Sequence, residues 1–211
     1  MTAAFELFIA FAVQLFIIVD PVAGVPVFLA ITPDNSRDER VAMARRGCLV
    51  AFTVTVFFIL AGPALLGYFG IGTAAVRIGG GVLLFVIALE MLYGRVTGTE
   101  TSQREERLAQ KKEDISITPL AIPLLAGPGT ITTALIFSGR AEGVPAHLAL
   151  LLAAAAVFAL GYLFLRQADP VMKVIGKLGM AVVTRILGLI LAFLAVQYIL
   201  DGVRTVLAPL S

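Results

Sequence analysis

Apolar residues run through this chain of 211 residues in stretches about as long as a bilayer is thick. A helix that crosses the hydrocarbon needs about 20 mostly apolar residues. Six segments meet that length, namely about Phe5–Ile31, Leu49–Tyr68, Val76–Gly94, Thr118–Phe137, Leu148–Leu165 and Val182–Leu207. The chain is 59% hydrophobic and 14% charged, whereas a soluble domain carries about 25% charged residues. The sequence therefore predicts an all-α polytopic membrane protein with six transmembrane helices in a lipid bilayer.

The same composition argues against other classes of protein. Cys48 and His147 are single residues of their types and cannot complete a zinc site, so we expect no metal and no cofactor. A net charge of +2 provides no basic face for nucleic acid. The serines avoid the centres of the spans, and Asp20 has no second acid at its depth with which to form a catalytic dyad. We therefore do not expect an enzyme.

Basic residues are concentrated on one side of the predicted bundle. Thirteen of the 16 Lys and Arg residues lie in the loops after helices 1, 3 and 5 or at the start of the sixth, namely Arg37, Arg40, Arg45, Arg46, Arg95, Arg104, Arg107, Lys111, Lys112, Arg166, Lys173, Lys177 and Arg185. Only Arg77, Arg140 and Arg204 fall on the other side. Because cytoplasmic loops carry an excess of Lys and Arg, we expect these three loops in the cytoplasm. The N- and C-termini would then lie on the outer side of the inner membrane, away from the cytoplasm.

The chain contains an internal repeat. Spans three and six share identical residues at a shift of 108, the pairs being Arg77/Arg185, Ile78/Ile186, Gly80/Gly188, Leu83/Leu191, Phe85/Phe193, Leu92/Leu200 and Gly94/Gly202. Spans one and four correspond at a shift of 107, which places Asp20-Pro21 on Gly127-Pro128. A repeat of three spans has to be inserted upside down in its second copy. We therefore predict a single transmembrane domain over residues 1–211, with repeat one at 1–95, a cytoplasmic linker at 96–116 and an inverted repeat two at 117–211.

Inverted repeats are typical of secondary transporters, although a duplication that only builds a stable bundle is the alternative. The first span of each copy also contains helix-breaking residues. Pro21 and Pro26 should interrupt span one, and Asp20 is a good N-cap for a new half-helix. Gly127 and Pro128 would have the same roles in span four. Two half-helices entering from opposite sides would bring their N-termini, with free N–H groups and positive dipole ends, to one central anion site.

The predicted substrate-binding residues follow from these two breaks. They are Asp20, Pro21, Val22, Ala23, Gly24, Gly127, Pro128, Gly129, Thr130 and Ile131. Asp20, the one acid well inside a span, has two interpretations. It either caps a half-helix, or it binds the ammonium of a substrate or carries a coupling proton or sodium ion. Arg77 and Arg185 also have two interpretations. They either extend to lipid headgroups or brace the broken helices.

These motifs resemble those of the MarC family of six-span bacterial and archaeal membrane proteins. The resemblance lies in Asp20–Phe28, Arg77–Leu92, Pro123–Ile131 and Arg185–Gly202, and it extends over essentially the whole chain. It implies that the signature positions are Asp20, Pro21, Gly24, Pro26, Gly127, Pro128 and Gly129. It also implies a relation to transporters of small neutral amino acids, including exporters of amino acids such as alanine.

Repeat, breaks and resemblance together favour a secondary transporter, import or export, of small neutral amino acids such as alanine, glycine or serine. Transport would proceed by alternating access around a site at the membrane midplane. No G-x-x-x-x-G-K-[ST] motif for ATP binding occurs. A non-transporting membrane scaffold or regulatory protein is the alternative, because a bundle with kinked helices would have a similar sequence. The residues are also compatible with an oligomer.

Overall fold

In a computed structural model, residues 2–94 and 125–207 are described, and every regular element within them is an α-helix. These helices are α1 (Thr2–Val19), α2 (Pro21–Ile31), α3 (Arg37–Tyr68), α4 (Thr73–Tyr93), α5 (Pro128–Ser138), α6 (Gly143–Arg166) and α7 (Ala168–Leu207). The predicted linker 96–116 and the first part of the predicted fourth span lie outside the described residues. The described part of that span is α5.

Five helical segments in the described ranges are long and apolar enough to cross a membrane. They are Ala3–Ile31, which joins α1 and α2, and the helices α3, α4, α6 and α7. Large apolar side chains on their outer surfaces, such as Phe5, Leu49, Phe57, Leu152 and Phe193, are more than half exposed. This apolar belt is unfavourable in water but is what a helix presents to lipid. The predicted all-helical, polytopic membrane protein is confirmed at this level.

The α3 helix begins earlier than the hydropathy pattern predicts, and α7 contains a short helix before its predicted span. The α3 helix begins at Arg37 rather than near Leu49, because Ser36 and Glu39 form a capping box. The Ser36 N–H donates to Glu39 Oε2 at 2.7 Å, and the Glu39 N–H donates to Ser36 Oγ at 3.3 Å. The α7 segment is interrupted at Gly176, where φ is 70° and ψ is 166°, so a short helix from Ala168 precedes the long helix that contains the predicted sixth span. Hydropathy locates the entry of the chain into the hydrocarbon, whereas a cap determines where the helix itself starts.

The α4 and α7 helices form the most extensive contact among the described elements, and they run antiparallel. Gly81 packs against Ala195 and Ile199, while Gly202 packs against Ala74 and Ile78 farther along the same pair of helices. A methyl group on Gly81 would lie 2.7 Å from the carbonyl oxygen of Ala195. Small residues at such positions let two helix backbones approach closely, which is a common way of packing helices in membranes.

The α1 and α5 helices are also antiparallel neighbours. The rings of Phe11 and Phe137 have centroids 5.1 Å apart, and a methyl group on Gly129 would lie 2.9 Å from Cγ2 of Ile18. The α5 helix therefore begins beside the last turn of α1 and runs back along it. The helices α1 and α4 begin on one side of the bundle, where α5 and α7 also finish. We call this side the terminal end. The opposite end, where α2, α4 and α6 finish, is called the basic end.

Candidate functional site

The helix break in the first span lies at Asp20. Its backbone is left-handed, with φ 37° and ψ 65°, and it is the only non-glycine residue with positive φ in the described ranges. Such a conformation costs on the order of 1–3 kcal/mol in a side-chain-bearing residue. Asp20 Oδ1 accepts the N–H of Ala23 at 3.1 Å, and Pro21 occupies the first helical position of α2. The predicted N-cap and first-turn pair is therefore present.

The interruption is confined to Asp20, so the prediction for Pro26 was wrong. Pro26 lies inside α2, which continues to Ile31. A proline removes only the hydrogen bond from its own nitrogen and often bends a helix without ending it. The backbone also stays connected across the break. The Asp20 N–H donates to the Phe16 carbonyl and the Gly24 N–H donates to the Asp20 carbonyl, both at 3.0 Å.

A cavity of about 440 Å³ lies between α2, α4 and α7 and opens at the basic end. Its polar lining consists of Asp20 from the break, Glu90 and Tyr93 from α4, and Lys177, Thr184 and Arg185 from α7. Asp20 is only 6% exposed, and within the described part of the chain its Oδ2 has no hydrogen-bond partner at full geometry, with the Thr184 side chain as a close polar neighbour at the cavity. A buried carboxylate oxygen without a partner is unfavourable unless a ligand, an ion or a proton satisfies it. The cavity therefore leads to a polar atom that is available for binding.

The predicted site residues divide into two groups in the structure. Asp20, Ala23 and Gly24 line the cavity, whereas Pro21 and Val22 are buried beside it and are not part of its wall. None of Gly127, Pro128, Gly129, Thr130 and Ile131 lines it.

The second motif forms a similar local structure next to the first break. Gly127 is the N-cap of α5, with φ −72° and ψ 179° and no side-chain cap, and Pro128 is at the first helical position. The α2 and α5 helices are both 11 residues long. Gly129 packs against Ile18 and Ile87, and the Thr130 hydroxyl donates to the Leu125 carbonyl at 3.1 Å. The structure thus brings the second motif to the end of α1 but leaves it packed by apolar side chains.

Sequence reasoning did not place Glu90, Thr184 or Arg185 with Asp20. Arg185 is exposed at the cavity and forms no hydrogen bond or ion pair with the described residues. Its match with Arg77 in the repeat was a usable signal, but the same match also fits an arginine that reaches lipid headgroups. The carboxyl and basic groups together make a cavity that contains charges of both signs.

A network of side chains lies at the terminal end, and we call it the terminal seal; its members are Gln14, Phe137, Arg140, Tyr198 and Asp201. The Tyr198 hydroxyl donates to Gln14 Oε1 at 2.5 Å, and both residues are buried. The Arg140 guanidinium lies 5.3 Å from the centroid of the Tyr198 ring and 5.6 Å from that of Phe137. Arg140 also approaches Asp201, with Nη2 and Oδ2 3.9 Å apart. The seal connects α1, the end of α5 and α7.

Fold and site define a multi-pass helical membrane protein with a cavity that enters from one end and reaches a helix break. The chain belongs to the MarC family, because the model described as "MarC family integral membrane protein" matches residues 5–207. The chain is 36% identical to the UPF0056 membrane protein YvbG of Bacillus subtilis (strain 168), covering 91% of this chain and 92% of the relative.

A second relative is a UPF0056 membrane protein of Aquifex aeolicus (strain VF5), with 34% identity over 95% of this chain and 94% of the relative. The names of both relatives state membrane location and assign no activity. No solved structure matches the chain. The comparisons therefore confirm the predicted family and the membrane location.

Proposed function

We propose that this protein is a secondary transporter of small neutral amino acids such as alanine, glycine or serine. The observation that carries the proposal is the cavity, which opens at one end of the bundle and reaches the Asp20 carboxylate at a helix break. A stable scaffold gains nothing from a buried carboxylate oxygen that has no partner. A binding site does, because a bound ammonium group, a proton or a sodium ion would satisfy that oxygen.

The size and charges of the cavity fit a small zwitterion. Its volume of about 440 Å³ lies in the lower part of the range of small-molecule sites, about 300–1,000 Å³. Asp20 would bind the substrate ammonium or the coupling ion. Arg185 would bind the carboxylate, since a guanidinium matches a carboxylate through two parallel hydrogen bonds. The sequence predicted that the free N–H groups at the start of α2 would bind an anion. They are less suited to binding the substrate carboxylate, because the Ala23 N–H already donates to Asp20.

The contacts between α4 and α7 support an inverted repeat. A methyl group on Gly94 would lie 4.0 Å from Arg185 Nη2, and one on Gly202 would lie 3.2 Å from Arg77 Cβ. In the repeat with its shift of 108, Gly94 corresponds to Gly202 and Arg185 corresponds to Arg77. The contact between Gly94 and Arg185 therefore corresponds to the contact between Gly202 and Arg77. Such an exchange is what a two-fold axis in the membrane plane produces, and two copies related in this way are the parts that rock in alternating access.

The cavities that the described residues form at the two ends of the bundle differ in volume, which favours alternating access. The place at the terminal end that corresponds to the cavity, next to Arg77 and Leu135, has a pocket of only about 30 Å³. We assign the basic end to the cytoplasmic side of the inner membrane, because most of the described Lys and Arg residues lie at that end. The segment that precedes α5 would complete a sixth span. In this proposal the present conformation faces the cytoplasm.

The test is uptake of labelled alanine, glycine and serine into proteoliposomes, with and without imposed pH and sodium gradients. We expect accumulation driven by one of the two gradients. Asp20→Asn should abolish gradient-driven accumulation, because an amide keeps the cap but carries neither charge nor proton. Asp169→Asn is the matched control, since Asp169 lies at the basic end and pairs with Arg40 at 3.4 Å outside the cavity.

The outcomes separate the parts of the proposal. Absence of flux for all three amino acids under every gradient would overturn the transport function and would favour a scaffold or regulatory role. Full gradient-driven accumulation by Asp20→Asn would leave transport in place but reduce Asp20 to a helix cap.

A further inference from the structure

We propose that Gln14 and Thr133 line an outward-facing half of the transport path, which the terminal seal closes in this conformation. The ligands of this half would be water and a polar solute that offers hydrogen-bond donors and acceptors. The inference rests on the proposed transport function and adds to it a second set of lining residues, on the side of Asp20 away from the cavity.

Two orphaned polar atoms carry the inference. Gln14 is 4% exposed and Thr133 is fully buried. Within residues 2–94 and 125–207, neither Gln14 Nε2 nor Thr133 Oγ1 has a hydrogen-bond partner. Each buried polar atom without a partner costs about 1–3 kcal/mol. Apolar side chains of similar size would avoid that cost if the region served only packing. The unpaired groups are explained if water or solute reaches them in another conformation.

The positions of the two residues place them on one route. The α1 and α5 helices touch at Phe11 with Phe137 and at Ile18 with Gly129. Gln14 and Thr133 lie between these two contacts, at the same level of two adjacent antiparallel helices. That level is between the helix break at Asp20 and the terminal end. A path that continues beyond Asp20 would pass this pair.

The terminal seal lies across the continuation of that route. Its inner layer is the hydrogen bond between Tyr198 and Gln14, which holds the amide oxygen of Gln14 against α7. Its outer layer is Arg140, which covers the Tyr198 ring and pairs with Asp201. The side chains of Arg140 and Asp201 are 33% and 29% exposed, so this layer lies at the rim. All these contacts are between side chains and can open without unfolding a helix.

The experiment measures access to residue 133 from outside the cell. Cys48 is the only cysteine and is replaced by alanine, and Thr133→Cys introduces a near-isosteric thiol. A charged, membrane-impermeant maleimide is then applied to intact bacterial cells that express the protein. We expect slow labelling with the seal intact. Tyr198→Phe or Arg140→Ala should raise the labelling rate about five- to tenfold, the population shift that the loss of one such interaction allows.

Matched controls separate opening of the path from general loosening. Ala134→Cys places a thiol next to residue 133 on α5, one turn from Ser138, whose hydroxyl donates to the Ile59 carbonyl of α3. This position should stay unlabelled when the seal is weakened. Arg204→Ala, a charge removed at the same end outside the seal, should leave the labelling of Thr133→Cys unchanged.

Three results would overturn the inference. The first is a labelling rate at position 133 that no seal variant raises, and the second is equal labelling at positions 133 and 134. The third is an effect of Arg204→Ala as large as that of Arg140→Ala. Labelling requires no knowledge of the substrate, so the test is independent of the uptake experiment. A gated path without amino-acid flux would keep this inference and refute the proposed substrates.

Discussion

The α2 and α5 helices are alike in length and in their first residue but differ in the residue that precedes them. Asp20 is strained, caps α2 with its own carboxylate and lies at the cavity. Gly127 has an extended backbone open to any residue, provides no side-chain cap, and begins a helix packed against α1 and α4. A cap residue followed by proline therefore starts both α2 and α5. Of the two cap residues, only Asp20, at the cavity, is ionisable.

The arginines that open the third span of each copy differ in the same way. Arg77 Nη1 donates to the Thr205 hydroxyl at 3.3 Å at the terminal end, whereas Arg185 is exposed at the cavity. Residues that correspond in the predicted repeat thus lie in different chemical surroundings. This difference leads to four predictions.

The largest effect is expected where α4 and α7 touch. Gly81→Ala should lower the free energy of unfolding by about 1–3 kcal/mol, since the added methyl group meets the backbone of α7. Gly79→Ala, two residues away with open space around it, should be neutral or gain up to about 1 kcal/mol from helix propensity. Thermal unfolding in detergent measures both. Equal behaviour of the two variants would show that α4 and α7 are less closely packed than described.

The next prediction concerns the two arginines. Arg185→Ala should raise the half-saturation concentration for alanine uptake about tenfold, which corresponds to about 1.4 kcal/mol. Arg77→Ala should change it less than about twofold, because its partner Thr205 is at the other end. Concentration-dependent uptake into proteoliposomes gives both values. An equal rise in the two variants would contradict the assignment of the substrate carboxylate to Arg185.

A smaller effect is expected from the cap of α2. Asp20→Ala and Asp20→Asn both remove the charge, but only asparagine keeps a cap and tolerates the left-handed backbone. The alanine variant should therefore unfold with a free energy about 1 kcal/mol lower than the asparagine variant. Denaturation of the two proteins in parallel tests this. If they are equally stable, the hydrogen bond from Ala23 contributes little to α2.

The smallest effect is expected at the corresponding position of the second copy. Gly127→Ser adds a capping hydroxyl to α5 at backbone angles that serine adopts freely. The gain should be a few tenths of a kcal/mol, since glycine is itself a tolerable cap. A loss above about 1 kcal/mol would mean that another part of the protein needs the space of the missing side chain. That result would make the two breaks more alike in function than their caps suggest.

Local chemistry accounts for what sequence reasoning predicted correctly. The Asp20-Pro21 cap and the Gly127-Pro128 start depend on residues adjacent in the chain, and both are present. Pro26 was misassigned because whether a proline bends or ends a helix depends on its neighbours in space. The bond between Tyr198 and Gln14 was also out of reach, since helical periodicity does not tell which residue of another helix a side chain meets.

The sequence alone determined the class of protein, because hydrocarbon thickness sets the length of an apolar helix. It also determined the position of the first break, because Asp20 and Pro21 are adjacent in the chain and form an N-cap and first-turn pair. The tertiary structure alone decided which polar residues meet. Asp20 and Arg185 line one cavity because α2 and α7 pack against each other. Side chains of three separate segments also meet at the terminal end. Such contacts depend on the relative placement of helices that are far apart in the chain.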